Sequence, residues 1–122
     1  MRILVIDDDP DLLMLCRINL ALDGHEIVEA SSGREGLQLL ASHKPDVVLL
    51  DVMMPAFDGL EVLRTIRDGI TTHVPVVIVS ARVGIEDRIA ARDAGADAFI
   101  SKPFGPELLV DTLKQACEAR GR

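Results

Sequence analysis

The sequence predicts an α/β domain, a single doubly wound parallel sheet built from five βα units. Three observations carry this. The runs Ile3 to Ile6, Val47 to Leu50 and Val76 to Val79 are continuously apolar and mostly β-branched or Leu, the pattern of strands covered on both faces. Helical patterns alternate with them from one end of the chain to the other. The 122 residues match the usual size of one domain, and no repeat or low-complexity stretch divides them.

The elements follow in order. After the first strand, Pro10 to Leu22 carries Leu12, Leu13, Leu15, Cys16, Ile18 and Leu20 at helical spacing, with Asp9 placed to cap its start. Glu26 to Ala30 reads as a flanking strand, because Glu stands on both sides of the Ile27-Val28 pair. Gly33 to His43 is helical through Leu37, Leu39 and Leu40 and leads into the second apolar run. Leu60 to Asp68 forms the third helix and Ile85 to Ala94 the fourth, with the third apolar run between them. Ala98 to Ser101 is a weaker, flanking strand, and Pro106 to Arg120 closes the chain with Leu108, Leu109, Leu113 and Ala116 on a recurring face. Right-handed crossovers then place helices on both faces of the sheet. The whole of 1–122 is one domain, and 118–122 has the character of a linker's start.

Composition removes several classes of function. Twenty acidic against thirteen basic residues give a formal charge of −7, which repels phosphate backbones and anionic membranes, so direct nucleic-acid binding by this domain is disfavoured. Three Phe with no Tyr or Trp leave no platform for stacking bases. No apolar run is longer than the five residues Leu12 to Cys16, far short of a membrane span or signal peptide, and the chain reads as cytoplasmic. Cys16 and Cys117 stand far apart with no His beside either, so both are expected as buried or half-buried free thiols. His25, His43 and His73 fall at loop or strand-start positions and are expected to be solvated.

Ligands of open α/β sheets bind beyond the carboxyl ends of the strands. Asp7, Asp8 and Asp9 follow the first strand, Asp51 ends the third, Ser80 and Ala81 end the fourth, and Ser101, Lys102 and Pro103 end the fifth. The second strand offers only Ser31 and Ser32. Several carboxylates crowded at one rim raise one another's pKa unless a cation lies among them, and a hard divalent ion such as Mg²⁺ suits them. With a lysine to neutralise phosphoryl oxygens and a serine to hydrogen-bond them, the rim reads as a metal-assisted phosphoryl site. No Walker A or GxGxxG pattern is present, so no nucleotide is required.

These residues resemble the receiver domain of two-component response regulators. The resemblance runs from Ile3 to about Cys117 and rests on Ile6-Asp7-Asp8, Leu50-Asp51-Val52-Met53-Met54-Pro55 with Asp58-Gly59, Ser80-Ala81, Gly95-Ala96-Asp97 and Lys102-Pro103-Phe104. It implies a flavodoxin-like fold with strand order 2-1-3-4-5 and a cis Lys102-Pro103 peptide. It implies Asp51 as acceptor of a phosphoryl group from the phosphohistidine of a sensor histidine kinase or phosphotransfer protein. Mg²⁺, with Mn²⁺ as a substitute, would be held by Asp8, Asp51 and the Met53 backbone carbonyl, and by Asp7 through water. Lys102 and Ser80 would hold the phosphoryl oxygens. Ser80 and Phe99 would form the switch that alters the face of the fourth helix, fifth strand and fifth helix, leading to partner docking or a phosphorylation-dependent homodimer.

Taken singly these residues have plainer roles: a carboxylate can cap a helix, a strand Phe can be core, and Met53 can fill a gap. A Mg²⁺-dependent aspartyl-phosphate hydrolase of the haloacid dehalogenase type would need a second Asp where Met53 stands, and more chain for a cap. A flavin carrier of the same architecture would need a Ser/Thr/Gly-rich first loop and aromatics. A phosphorylation-independent pseudo-receiver, an interaction module, is the alternative within the family pattern, and the intact set of Asp7, Asp8, Asp51, Ser80 and Lys102 argues against it. The winged-helix transcription factors of the family commonly carry Asp-Asp-Tyr where this chain has Asp97-Ala98-Phe99, which speaks against that output. A phosphoacceptor of this kind is no multiple-turnover enzyme on an external substrate.

Overall fold

The computed structural model describes residues 1–52, 59–69, 73–81 and 84–120. Five strands, β1 (Arg2–Ile6), β2 (Glu26–Ala30), β3 (Val47–Asp51), β4 (Val76–Ser80) and β5 (Ala98–Ser101), alternate with α1 (Pro10–Leu22), α2 (Gly33–His43), α3 (Gly59–Asp68), α4 (Ile85–Asp93) and α5 (Pro106–Arg120). All neighbours pair in parallel, in the order β2-β1-β3-β4-β5. The expected (βα)5 architecture is therefore the observed one, with element ends shifted by a residue at most.

Strand alternation divides the core between the two faces. Leu4, Ile6, Val48, Leu50, Val76 and Ile78 pack on one side against Leu40 of α2, Val62, Leu63 and Ile66 of α3 and Ala91 of α4. Ile3, Val5, Val47, Leu49, Val77, Val79 and Ile100 pack on the other against Leu12, Cys16 and Leu20 of α1 and Leu109, Leu113 and Ala116 of α5. Asp9 caps α1 as expected, its side chain accepting the Asp11 N–H at 2.9 Å, and Ser32 caps α2 through the Glu35 N–H at 3.2 Å. The edge position of β2 agrees with its composition: Glu26 pairs with Arg2 at 2.8 Å and Glu29 with Arg17 at 2.7 Å.

Three expectations change. In α1 only Leu12, Cys16 and Leu20, at i, i+4 and i+8, are buried, whereas Leu15 and Ile18 point outward beside Met14 and Leu22. In α5 Leu108 lies outside the buried stripe formed by Leu109, Leu113 and Ala116. Both helices pack one narrow face on the sheet, and a flat sheet covers only residues spaced three or four apart. His25 is not solvated: its side chain is 10% exposed, Nδ1 lies 3.0 Å from the Met1 ammonium and Nε2 2.9 Å from Asp23. It lies just before β2, beside the start of β1, where Glu26 N–H donates to the Met1 carbonyl. His43 is half-buried and His73 exposed. Cys16 is buried and Cys117 half-buried, both free, and burial pushes the Cys16 thiol up to about 12.

Candidate functional site

The carboxyl ends of β1, β3, β4 and β5 converge because parallel pairing puts them in one row. Asp7 follows the last residue of β1, Asp51 is the last of β3, Ser80 ends β4, and Ser101 pairs with Ser80 in register. Asp7, Asp8 and Asp51 each offer a carboxylate oxygen within 4.8 Å of the others. Asp8 is exposed, whereas Asp7 and Asp51 are 1% and 4% exposed. Lys102 reaches across from β5, its Nζ 3.1 Å from Asp7 Oδ2 and 3.5 Å from Asp51 Oδ2. It is held by its own backbone, the Lys102 N–H donating to the Ser80 carbonyl at 2.8 Å. The Lys102-Pro103 peptide is cis, as the resemblance implied.

The electrostatics follow from burial. Desolvation, reinforced by the nearby Asp51 charge, raises the Asp7 carboxyl from 3.8 to about 6, against the pull of the Asp9 N–H, which donates to Oδ1 at 2.9 Å, and of Lys102. For Lys102, burial pulls the pKa down, but the hydrogen bond and charge of Asp7 with the charge of Asp51 outweigh it, and the net shift is upward. The lysine stays protonated. Three carboxylates facing one ammonium leave an excess of negative charge in a partly buried site, and all-oxygen donors at this spacing fit a hard divalent cation such as Mg²⁺.

The backbone under Asp51 is tightly fitted. A Cβ on Gly59, the first residue of α3, would lie 2.5 Å from the Asp51 carbonyl oxygen and closer still to Val52 Cα. Gly59 N–H also donates to the Val52 carbonyl at 3.4 Å, so α3 begins directly against the strand end that carries Asp51. Met53, and with it Met54, Pro55 and Asp58, lies outside the described residues. Ser80 is wholly buried at the rim. Phe99 is half-buried on β5, packs on the α3 side of the core, and has the Arg88 guanidinium 5.2 Å from its ring centroid.

Sequence reading missed two groups. Arg88, on α4, was not singled out, since a cation on an exposed helix face carries no local signal. Asp97 stands out in the sequence only as part of Gly95-Ala96-Asp97. Its carboxylate accepts Arg67 Nη2 at 2.9 Å, Arg120 Nε at 2.6 Å and the Val76 N–H at 2.8 Å, fastening α3, α5 and β4 at the far end of the sheet. A basic residue in the last turn of both α3 and α5, with an Asp just before β5, is the hint the sequence holds.

A doubly wound α/β domain with an acidic, lysine-capped rim at the carboxyl ends of its central strands is the class that fold and site define. The response regulator receiver domain model matches residues 3–114. The transcriptional regulatory protein KdpE of Mycobacterium tuberculosis is 42% identical over 114 residues, covering 93% of this chain and 50% of the relative. Response regulator MprA of Mycolicibacterium vanbaalenii is 43% identical over 113 residues, covering 93% and 48%. Among solved structures, a putative response regulator from Chloroflexus aurantiacus superposes with a TM-score of 0.91 at 31% identity, covering 96% of this chain and 97% of that one. The Vibrio cholerae chemotaxis protein CheY4 gives 0.90 at 28%, covering 94% and 97%. The chain belongs to the response regulator receiver domain family of two-component systems. It spans about half the length of the sequence relatives it matches.

Proposed function

We propose that this domain accepts a phosphoryl group on Asp51 from the phosphohistidine of a sensor histidine kinase or phosphotransfer protein, in the cytoplasm. The observation that carries it is the convergence of Asp7, Asp8, Asp51 and Lys102 at one rim, in a chain of this family. An Asp51 carboxylate oxygen forms the new bond to phosphorus as the phosphorus–nitrogen bond to the donor imidazole breaks, and the electron pair leaves with the imidazole. Asp8 and Asp51, with Asp7 through a water and the Met53 carbonyl, would hold Mg²⁺ or Mn²⁺, which supplies neutralisation of the phosphoryl oxygens. Lys102 Nζ, already poised between Asp7 and Asp51, stabilises the charge that develops on those oxygens. An open groove of about 440 Å³ lined by Leu12, Leu15, Ala81, Lys102 and Phe104, among others, lies beside the rim on the Lys102 side.

Ser80 ends β4 beside this site and hydrogen-bonds a phosphoryl oxygen once it arrives, and Phe99 follows by turning inward, so that α4, β5 and α5 present a changed face. On α4 Ile85 and Ile89 stand one turn apart and exposed, apolar surface suited to a second copy or an output partner. Because the relatives are twice as long and one is named a transcriptional regulator, the output proposed is control of transcription by a region outside this domain, in spite of Ala98-Phe99 at the position where Asp-Tyr is usual. The test is intact-mass spectrometry after incubation with acetyl phosphate. The protein gains about 80 Da only with Mg²⁺, and Asp51→Asn gains nothing. An unmodified wild type, or a modified Asn variant, removes Asp51 from the role.

A further inference from the structure

Phe99 lacks the hydroxyl with which a tyrosine at this position would make a hydrogen bond, so its ring can be held only by packing and by contacts to its face. The structure supplies a substitute. Phe99 and Ser101 are two residues apart on β5 and so face the same side of the sheet, the side that α4 covers. Arg88 spans both: its guanidinium lies 5.2 Å from the Phe99 ring centroid, within the range of a cation–π contact, and its Nη2 donates to Ser101 Oγ at 3.2 Å. Ser101 is the register partner of Ser80, and Lys102 is the next residue. One exposed cation on α4 is thus fixed at two points on the strand whose ring and lysine serve the site.

We propose that Arg88 is a positioning residue that holds the Phe99 ring in its resting place and sets how readily the domain switches, an inference that rests on the phosphoacceptor function above. Turning the ring inward breaks the guanidinium contact while leaving Asp7, Asp8, Asp51 and Lys102 untouched. The contact is at an exposed site, where such pairs shift a two-state population by about two- to fivefold. Arg88→Ala therefore raises the share of inward ring in the unphosphorylated protein by about that factor. Arg88→Lys keeps the cation but loses the flat fork and falls between the two. Arg88→Gln, which keeps a planar polar end without charge, behaves like Arg88→Ala.

Only three Phe occur in the chain, Phe57, Phe99 and Phe104, so a Phe-selective ¹³C spectrum of the aromatic rings isolates Phe99. It is recorded with and without Mg²⁺ and beryllofluoride, a phosphoryl mimic that needs no kinase, with ¹⁹F spectra reporting binding. In the wild type the Phe99 resonance moves on binding. In Arg88→Ala the free protein's resonance already lies displaced toward the bound position, and half-saturation falls by about two- to fivefold. An unshifted resonance and unchanged half-saturation in Arg88→Ala, with a wild type that responds, overturns the role of Arg88 and leaves the phosphoacceptor function standing. Binding without any movement of Phe99 overturns the switch and Arg88 with it. No binding overturns the phosphoacceptor site itself.

Discussion

Replacing the carboxylate of Asp7 by its neutral isostere should make the metal-free protein more stable, against the usual direction of a change at a buried polar residue. Asp7 is 1% exposed and its folded-state pKa is about 6 against an ordinary 3.8, through desolvation and the Asp51 charge. A raised pKa means that the native state binds the proton more tightly than the unfolded chain does. Stability associated with that proton is therefore complete below pH 3.8 and lost as pH rises through 6. A difference of about 2 pKa units corresponds to about 3 kcal/mol, the net cost of ionising Asp7 in the fold after the help from Lys102 and the Asp9 N–H is counted. Asn mimics the protonated form, and its Oδ1 can still accept the Asp9 N–H. Asp7→Asn is thus expected to gain about 1–3 kcal/mol at pH 7.5, or about 4–12 °C in Tm for a domain of this size. Urea denaturation of both proteins in EDTA, from pH 7.5 down to 3.5, isolates the effect, since every other carboxylate is common to the pair. The gain should shrink between pH 6 and 4 and vanish near 3.5. An Asn variant less stable at pH 7.5, or a gain that does not depend on pH, would refute the reasoning.

Other expectations follow from the same geometry. Mg²⁺ should raise the Tm of the wild type by mass action, and Asp8→Ala should lose most of that rise in differential scanning calorimetry, because it removes an exposed oxygen from the cluster. Gly59→Ala should cost about 2 kcal/mol or more in urea denaturation, since its Cβ meets backbone, whereas Gly36→Ala, whose Cβ meets the outer atoms of the Ile6 side chain, should cost less. Asp97→Ala should cost about 1–3 kcal/mol by the same assay, as it removes the shared acceptor of Arg67, Arg120 and the Val76 N–H while Arg67 keeps its bonds to the Gly95 and Val74 carbonyls.

The sheet was legible because Ile3 to Ile6, Val47 to Leu50 and Val76 to Val79 are buried on both faces, a state that demands unbroken apolar runs and leaves little room for another interpretation. The rim was legible for a related reason: in a parallel sheet, whatever follows each strand lands at one end, so Asp7, Asp51, Ser80 and Lys102 could be brought together without knowing any helix position. Which face a helix buries was less legible. Leu15, Ile18 and Leu108 are as apolar as their buried neighbours, and only the packing angle on the sheet decides between them. Contacts made between separated side chains were not legible at all. Arg67, Asp97 and Arg120 come together from separate parts of the chain, Arg88 meets Phe99 across the gap between α4 and β5, and His25 meets the first residue of the chain. No local pattern encodes such pairs.

The central claim, that Asp51 is the phosphoacceptor, is tested most directly by trapping the acyl phosphate where it forms. Borohydride converts an aspartyl phosphate to homoserine, leaving the residue lighter by about 14 Da than unmodified Asp, and tandem mass spectrometry of the digested protein locates the change. After incubation with acetyl phosphate and Mg²⁺, homoserine is expected at position 51 alone, and at no position when EDTA replaces Mg²⁺. Homoserine at Asp7 or Asp8, or none at position 51 while the intact protein carries the added phosphoryl mass, would contradict the assignment.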